Sequence, residues 1–207
     1  LFLSGCDSSS NIYLYENSKL FVKSYKTGLF FGSFNPVHVG HMIIANYLLT
    51  NADLAEIWMV VSPHNPLKEK KSLAKDYDRL HLLNLAIGDN PQIRASDIEF
   101  NLPKPSYTID TLTYAREKYP DKNFVLIMGG DNLETLHKWK NYKLILKYYE
   151  IYVYNRPGHS AGELANHERV TFFDAPLLDI SASYIRKNVR EHKSIQYLVP
   201  DKVYDYL

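Results

Sequence analysis

The chain has 207 residues, 45% of them hydrophobic, enough to bury the core of one α/β domain. Its 24 Lys and Arg against 23 Asp and Glu leave a formal net charge of +1, so no global field draws it to nucleic acid or an anionic membrane, and any anion site must be local. A single cysteine excludes an intramolecular disulfide framework, and the longest apolar runs are strand length, far short of the ~20 residues that span a bilayer.

Residues 1–25 carry Ser8-Ser9-Ser10 and scattered aromatics without a sustained period, which predicts an N-terminal extension ahead of a domain spanning 26–207. Leu3-Ser4-Gly5-Cys6 matches a lipoprotein cleavage box. Only Leu1 to Leu3 precede it, however, with no basic flank and far fewer than the roughly 7–15 apolar residues of a signal core. The expectation is an incidental match in a cytoplasmic protein. Beyond it, β-type runs at 28–33, 56–62, 92–96, 124–128, 150–154 and 170–173 alternate with helical patterns at 39–50, 76–87, 108–118, 142–148 and 181–191. This alternation specifies βαβ crossovers: an α/β, mainly parallel sheet with helices on both faces and ligands beyond the carboxyl ends of its strands.

The first such end carries Gly32-Ser33-Phe34-Asn35-Pro36-Val37-His38-Val39-Gly40-His41. Gly32 lets backbone approach a ligand, Pro36 stiffens the turn, and the amides opening the next helix add positive partial charge. His38 and His41, three apart, share one face of that first turn, and Gly40 removes a side chain from between them. Alone, such a pair is commonplace. As a zinc site it is incomplete, because zinc takes three or four protein ligands and no Cys or third His stands at a matching spacing.

Set after a strand, the whole segment resembles the signature of the His-x-Gly-His nucleotidylyltransferase superfamily. That resemblance implies a Rossmann-like sheet, ATP as substrate, Mg2+ as cofactor, and in-line attack of an acceptor phosphate on the α-phosphorus. It assigns catalytic roles to His38, His41 and Arg186. Ile180-Ser181-Ala182-Ser183-Tyr184-Ile185-Arg186 is similar to the superfamily's second phosphate element, with Ser181 or Ser183 capping a helix and Arg186 offering a fork of donors. Gly129-Gly130-Asp131 follows the most apolar strand. ATP would thus meet Gly32, Ser33, Phe34, His38, His41, Gly129, Asp131, Ile180, Ser181, Ser183 and Arg186, with no metal ligand expected among the side chains.

Three further stretches concern the acceptor: Pro63 to Lys68, Pro105-Ser106-Tyr107-Thr108, and His137-Lys138-Trp139-Lys140. Each alone reads as a proline loop, a helix cap or a partly buried Trp. In this order, from about residue 27 to 207, they resemble the bacterial nicotinate mononucleotide adenylyltransferases. The resemblance places Lys68, Ser106, Tyr107, Thr108, Trp139 and Lys140 at the acceptor, which makes ATP and nicotinate mononucleotide the expected partners, without nucleic acid or membrane. The chain departs from it at Asn35, where many members carry Asp, and at Lys140, where some carry an aromatic. Nicotinamide mononucleotide and phosphopantetheine stay open as acceptors, as do a non-catalytic nucleotide-binding module and a homo-oligomer.

Overall fold

Six strands, β1 (Lys26–Gly32), β2 (Leu54–Val61), β3 (Ile93–Ser96), β4 (Asn123–Gly129), β5 (Glu150–Tyr154) and β6 (Val170–Phe173), pair in parallel in the order β3-β2-β1-β4-β5-β6. The computed structural model describes residues 26–63, 73–155, 162–176 and 178–207. The extension with its Leu3 to Cys6 match, and Lys68, lie outside the described residues. Between the strands run α1 (Val39–Asn51), α2 (Asp76–Ile87), α3 (Thr108–Lys118), α4 (Gly130–Glu134) and α5 (Tyr142–Tyr148), with α6 (Ala182–Arg190) and α7 (Asp201–Tyr206) following β6. The expected α/β class, parallel sheet and most element bounds hold. α4 forms where only a tight turn was expected, and α7 was not foreseen, because helices of five and six residues are too short to display a period.

Alternate strand residues feed two cores. Phe30, Ile57, Met59, Val61, Val125, Ile127 and Tyr152 pack with Ile44 and Leu48 of α1, Leu82 and Leu83 of α2, Ile185 of α6 and Val203 of α7. On the opposite face Leu29, Trp58, Val60, Leu126, Met128, Ile151 and Val153 pack with Ile109 and Leu112 of α3, Leu133 of α4 and Ile145 of α5. Two buried faces explain why the central strands read as continuous apolar runs. Helices therefore cover both sides of the sheet, as expected.

The two ends of the sheet differ in chemistry. Where the strands begin, Lys26 bonds Glu150 at 2.7 Å, Asp53 at 2.9 Å and the Tyr152 hydroxyl at 3.0 Å, and Tyr152 donates to Asp53. Burial works against the Lys26 charge, but these partners outweigh it and hold the ammonium above its usual range. Burial, helped by Asp53, pushes the Tyr152 hydroxyl up to about 12.

Where the strands end, two buried ionisable groups tie the loops together. Arg79 of α2 is 0% exposed and donates to the carbonyls of Ser33 at 2.5 Å, Ser62 at 2.9 Å and Ala74 at 3.1 Å, and to Asp76 Oδ1 at 2.8 Å. Burial draws the guanidinium below its usual value, opposed by Asp76. An arginine nevertheless stays cationic at neutral pH. Glu99, after β3, accepts from the Thr111 hydroxyl at 2.7 Å. Burial pushes its carboxyl up, against hydrogen bonds from Thr111, Ser62 and Ser106.

Two predictions concern these groups. Arg79→Ala leaves three carbonyls and Asp76 without their buried donor and should destabilise by roughly 3–5 kcal/mol, seen as a lowered urea midpoint at constant m-value; no shift would mean that the clamp is replaceable by water. For Glu99, the folded pKa lies above the ordinary 4.5, so the folded state binds the extra proton and stability falls as pH rises from about 4.5 through the raised value. Glu99→Gln lacks that titration, so its melting temperature should gain on the wild type as pH goes from about 4.5 to neutrality. A difference independent of pH would contradict the assignment.

Candidate active site

The sheet order reverses between β1 and β4, since the chain runs outward through β2 and β3 and then returns to β1's other side. Such a switch point opens a crevice beyond the strand ends. The registers pair Gly32 with Val61, Gly129 with Tyr154 and Phe30 with Ile127, so Gly32 and Gly129 stand level and adjacent at that rim. A Cβ on Gly32 would lie 2.8 Å from the Phe34 ring, and one on Gly129 would lie 2.5 Å from Asp131 Oδ1 and 3.1 Å from Tyr154. Neither position has room for a side chain.

The turn after Gly32 is built on Phe34, which takes a φ of 43° although it is not glycine. A backbone in that region is strained unless the surroundings hold it. Here they do: the ring is 1% exposed and packs edge-on to Phe30 at 6.0 Å and His41 at 5.0 Å. The ring is thus turned inward, and only the backbone of Phe34 is left to face the rim. Asn35 is also buried, its side-chain oxygen accepting from the Ala74 amide at 3.2 Å. The departure from Asp at this position thus has a structural role, because an amide oxygen serves as acceptor there without a buried charge.

His38 is the N-cap of α1, and its amide donates to His41 Nδ1 at 3.2 Å. The rings stack with centroids 3.7 Å apart and planes 29° apart. With Nδ1 accepting, a neutral His41 carries its proton on Nε2 and is a donor there. Gly40 lies against this pair, since a Cβ would sit 3.1 Å from His38 Nδ1. The Val39 amide is bonded to the Leu198 carbonyl at 3.0 Å, so the segment before α7 helps anchor the helix mouth.

Arg186 of α6 joins the second phosphate element to the first by donating to the Asn35 carbonyl at 2.6 Å. Burial and neighbouring Arg190 both lower its pKa from the usual value. Ser181 caps α6 through the Tyr184 amide at 3.2 Å and lies 3.0 Å from the Ser183 hydroxyl. Ile180 is half-buried against the first core. Asp131 opens α4 beside Gly129.

The described residues expected at the acceptor form a second group. Ser106 is buried, so it faces the interior of the loop. Tyr107 is the N-cap of α3, and Thr108 begins the helix. Trp139 packs on the second core with Tyr107, and its shielded indole N–H has no partner among the described residues. Lys140 reaches across to α3, bonding Asp110 at 2.8 Å with its ammonium 4.6 Å from the centre of the Tyr107 ring. The Ser62 amide donates to the Gly32 carbonyl at 2.9 Å, which ties the loop after β2 to the end of β1. Arg79 and Glu99 were missed from sequence. The only local signal was Asp76-x-x-Arg79, and a charge pair three apart usually marks a solvated helix face.

Residues 29–188 match the cytidylyltransferase-like family. The probable nicotinate-nucleotide adenylyltransferase of Cytophaga hutchinsonii is 56% identical over 178 residues, covering 86% of this chain and 93% of its own. That of Flavobacterium psychrophilum is 51% identical over 184 residues, covering 88% and 95%. In fold, the chain is similar to the Plasmodium falciparum nicotinic acid mononucleotide adenylyltransferase solved in complex with NaAD. The TM-score is 0.73 at 20% identity, over 88% of this chain and 94% of the other. Matched along most of its length, and sharing more than half its aligned residues with these two bacterial relatives, the chain belongs to the nicotinate-nucleotide adenylyltransferase family of cytidylyltransferase-like proteins.

Proposed function

We propose that this protein transfers AMP from ATP to nicotinate mononucleotide, giving nicotinate adenine dinucleotide and pyrophosphate in NAD biosynthesis. The observation that carries this reading is the bond from Arg186 to the Asn35 carbonyl, which draws the guanidinium onto the turn that holds His38 and His41. Three cationic or N–H donors then gather at the switch point beside two glycines without room for side chains. The bacterial relatives carry the same activity in their names.

A phosphate oxygen of the acceptor attacks the α-phosphorus, the bond from that phosphorus to the pyrophosphate oxygen breaks, and pyrophosphate leaves with the electron pair. No covalent intermediate with the chain is needed. The work of the residues is to align the two anions and stabilise charge moving onto the leaving group. His41, a donor at Nε2, Arg186, and the amides opening α1 suit that task. Gly129 and Asp131 suit the nucleoside, with Asp131 as an acceptor for ribose or adenine donors. Tyr107, Thr108 and Trp139 suit a flat pyridine ring with a small polar substituent. Magnesium, when bound with ATP, supplies neutralisation of the triphosphate. The proposed setting is the cytoplasm; no described helix is long and apolar enough to cross a membrane.

Purified protein given ATP, magnesium and nicotinate mononucleotide should release pyrophosphate and form the dinucleotide, faster than with nicotinamide mononucleotide or phosphopantetheine. No product from any acceptor would overturn the enzymatic reading. His41→Ala should lower kcat roughly 10²–10³-fold, the scale of losing one aligned donor to a developing anion, with a native far-UV spectrum and urea m-value. Wild-type turnover in that variant would refute the role given to His41.

A further inference from the structure

The side chain of Lys140 makes a charged contact beside the residues expected at the acceptor. It leaves the residue after Trp139, crosses to the first turn of α3, and places its ammonium 2.8 Å and 3.2 Å from the two carboxylate oxygens of Asp110. The same nitrogen lies 4.6 Å from the centre of the Tyr107 ring, within reach of a cation–π contact. The pair is about half exposed, 44% for Lys140 and 47% for Asp110, so as a fastening it is weak. Its location is what gives it an effect. Tyr107 and Trp139 flank the proposed ring subsite, and charges this near the Tyr107 ring lie within a Debye length, about 8 Å at physiological salt, of a ligand packed on that ring.

Nicotinate and nicotinamide rings differ by one negative charge. A neutral amide responds little to charges at the edge of its subsite, whereas a carboxylate is attracted by Lys140 and repelled by Asp110. The two residues must therefore enter the acid-to-amide preference with opposite signs. From this juxtaposition we infer that the Lys140–Asp110 pair tunes the preference of the acceptor subsite for a ring bearing a carboxylate, the Lys140 ammonium raising it and Asp110, as its counterweight, lowering it. This rests on the proposed position of the acceptor ring against Tyr107 and Trp139.

The test is the ratio of dissociation constants for nicotinate and nicotinamide mononucleotide, measured by calorimetry on the full chain without ATP, so that binding is read apart from catalysis. Lys140→Gln should lower the preference for the acid roughly two- to fivefold, and Asp110→Asn should raise it by a similar factor. The double variant should return close to the wild-type ratio, and Lys140→Arg should retain it. Raising salt from about 0.05 M to about 0.5 M should shrink the difference between Lys140→Gln and wild type, which a purely structural role would not do. If wild type prefers the acid and both single variants keep its ratio, or move it in the same direction, the inference fails while the proposed function stands. If wild type binds neither mononucleotide, both fall together. Should Lys140→Gln not fold, Asp110→Asn in the same salt series decides: a ratio equal to that of wild type at both salt concentrations overturns the inference.

Discussion

The buried guanidinium of Arg79 is the interaction on which the rest of the site depends. Parallel strands end in carbonyls that have no further strand partner, and the loops after β1 and β2 must leave the sheet side by side in an apolar setting. Arg79 reaches both ends from α2 and satisfies the carbonyls of Ser33 and Ser62 with one planar group, while Ala74 and Asp76 occupy its remaining donors. A buried cation is tolerable only when its hydrogen-bonding capacity is met in this way. The clamp fixes the exit angle of β1, and with it the turn that carries Phe34 and delivers His38 and His41 to the start of α1.

The sheet is thus asymmetric for a physical reason. At its amino end, long charged and phenolic side chains from β1, β5 and the residue before β2 meet one another and close the surface. At its carboxyl end the side chains are removed, by Gly32 and Gly129, or turned inward, as with Phe34, and polar backbone is left to face a ligand. The strained Phe34 backbone belongs to this second design. It is held by ring packing against Phe30 and His41, so the same contacts that stabilise the unusual φ also orient a proposed catalytic side chain.

Coupling between distant segments follows from the same economy of polar groups. Arg186 spends one donor on Asn35 and thereby docks α6 on the first motif. Glu99, after β3, accepts from Thr111, so the segment following β3 is tied to α3 through a single buried carboxyl. Lys140, the residue after Trp139, bridges to α3 at the surface, where solvent screens the pair and it adds little to the fold. Buried ionisable groups are what hold the frame.

The sequence by itself determined the α/β class, the parallel sheet and most element bounds, because hydrophobic period and helix length are local properties that survive in the one-dimensional pattern. It also determined the residues of the candidate site that belong to contiguous motifs: Gly32 to His41, Gly129 to Asp131, and Ile180 to Arg186. It could not show that Ser106 is buried, that Asn35 is a buried acceptor for Ala74, or that Lys140 pairs with Asp110 beside Tyr107. Nor could it mark Arg79, whose spacing from Asp76 looks like an ordinary surface pair. These were decided by tertiary structure alone, since burial and partnership depend on residues brought together from separate turns of the chain, and a polar side chain carries no local sign of which way the packed core will make it point.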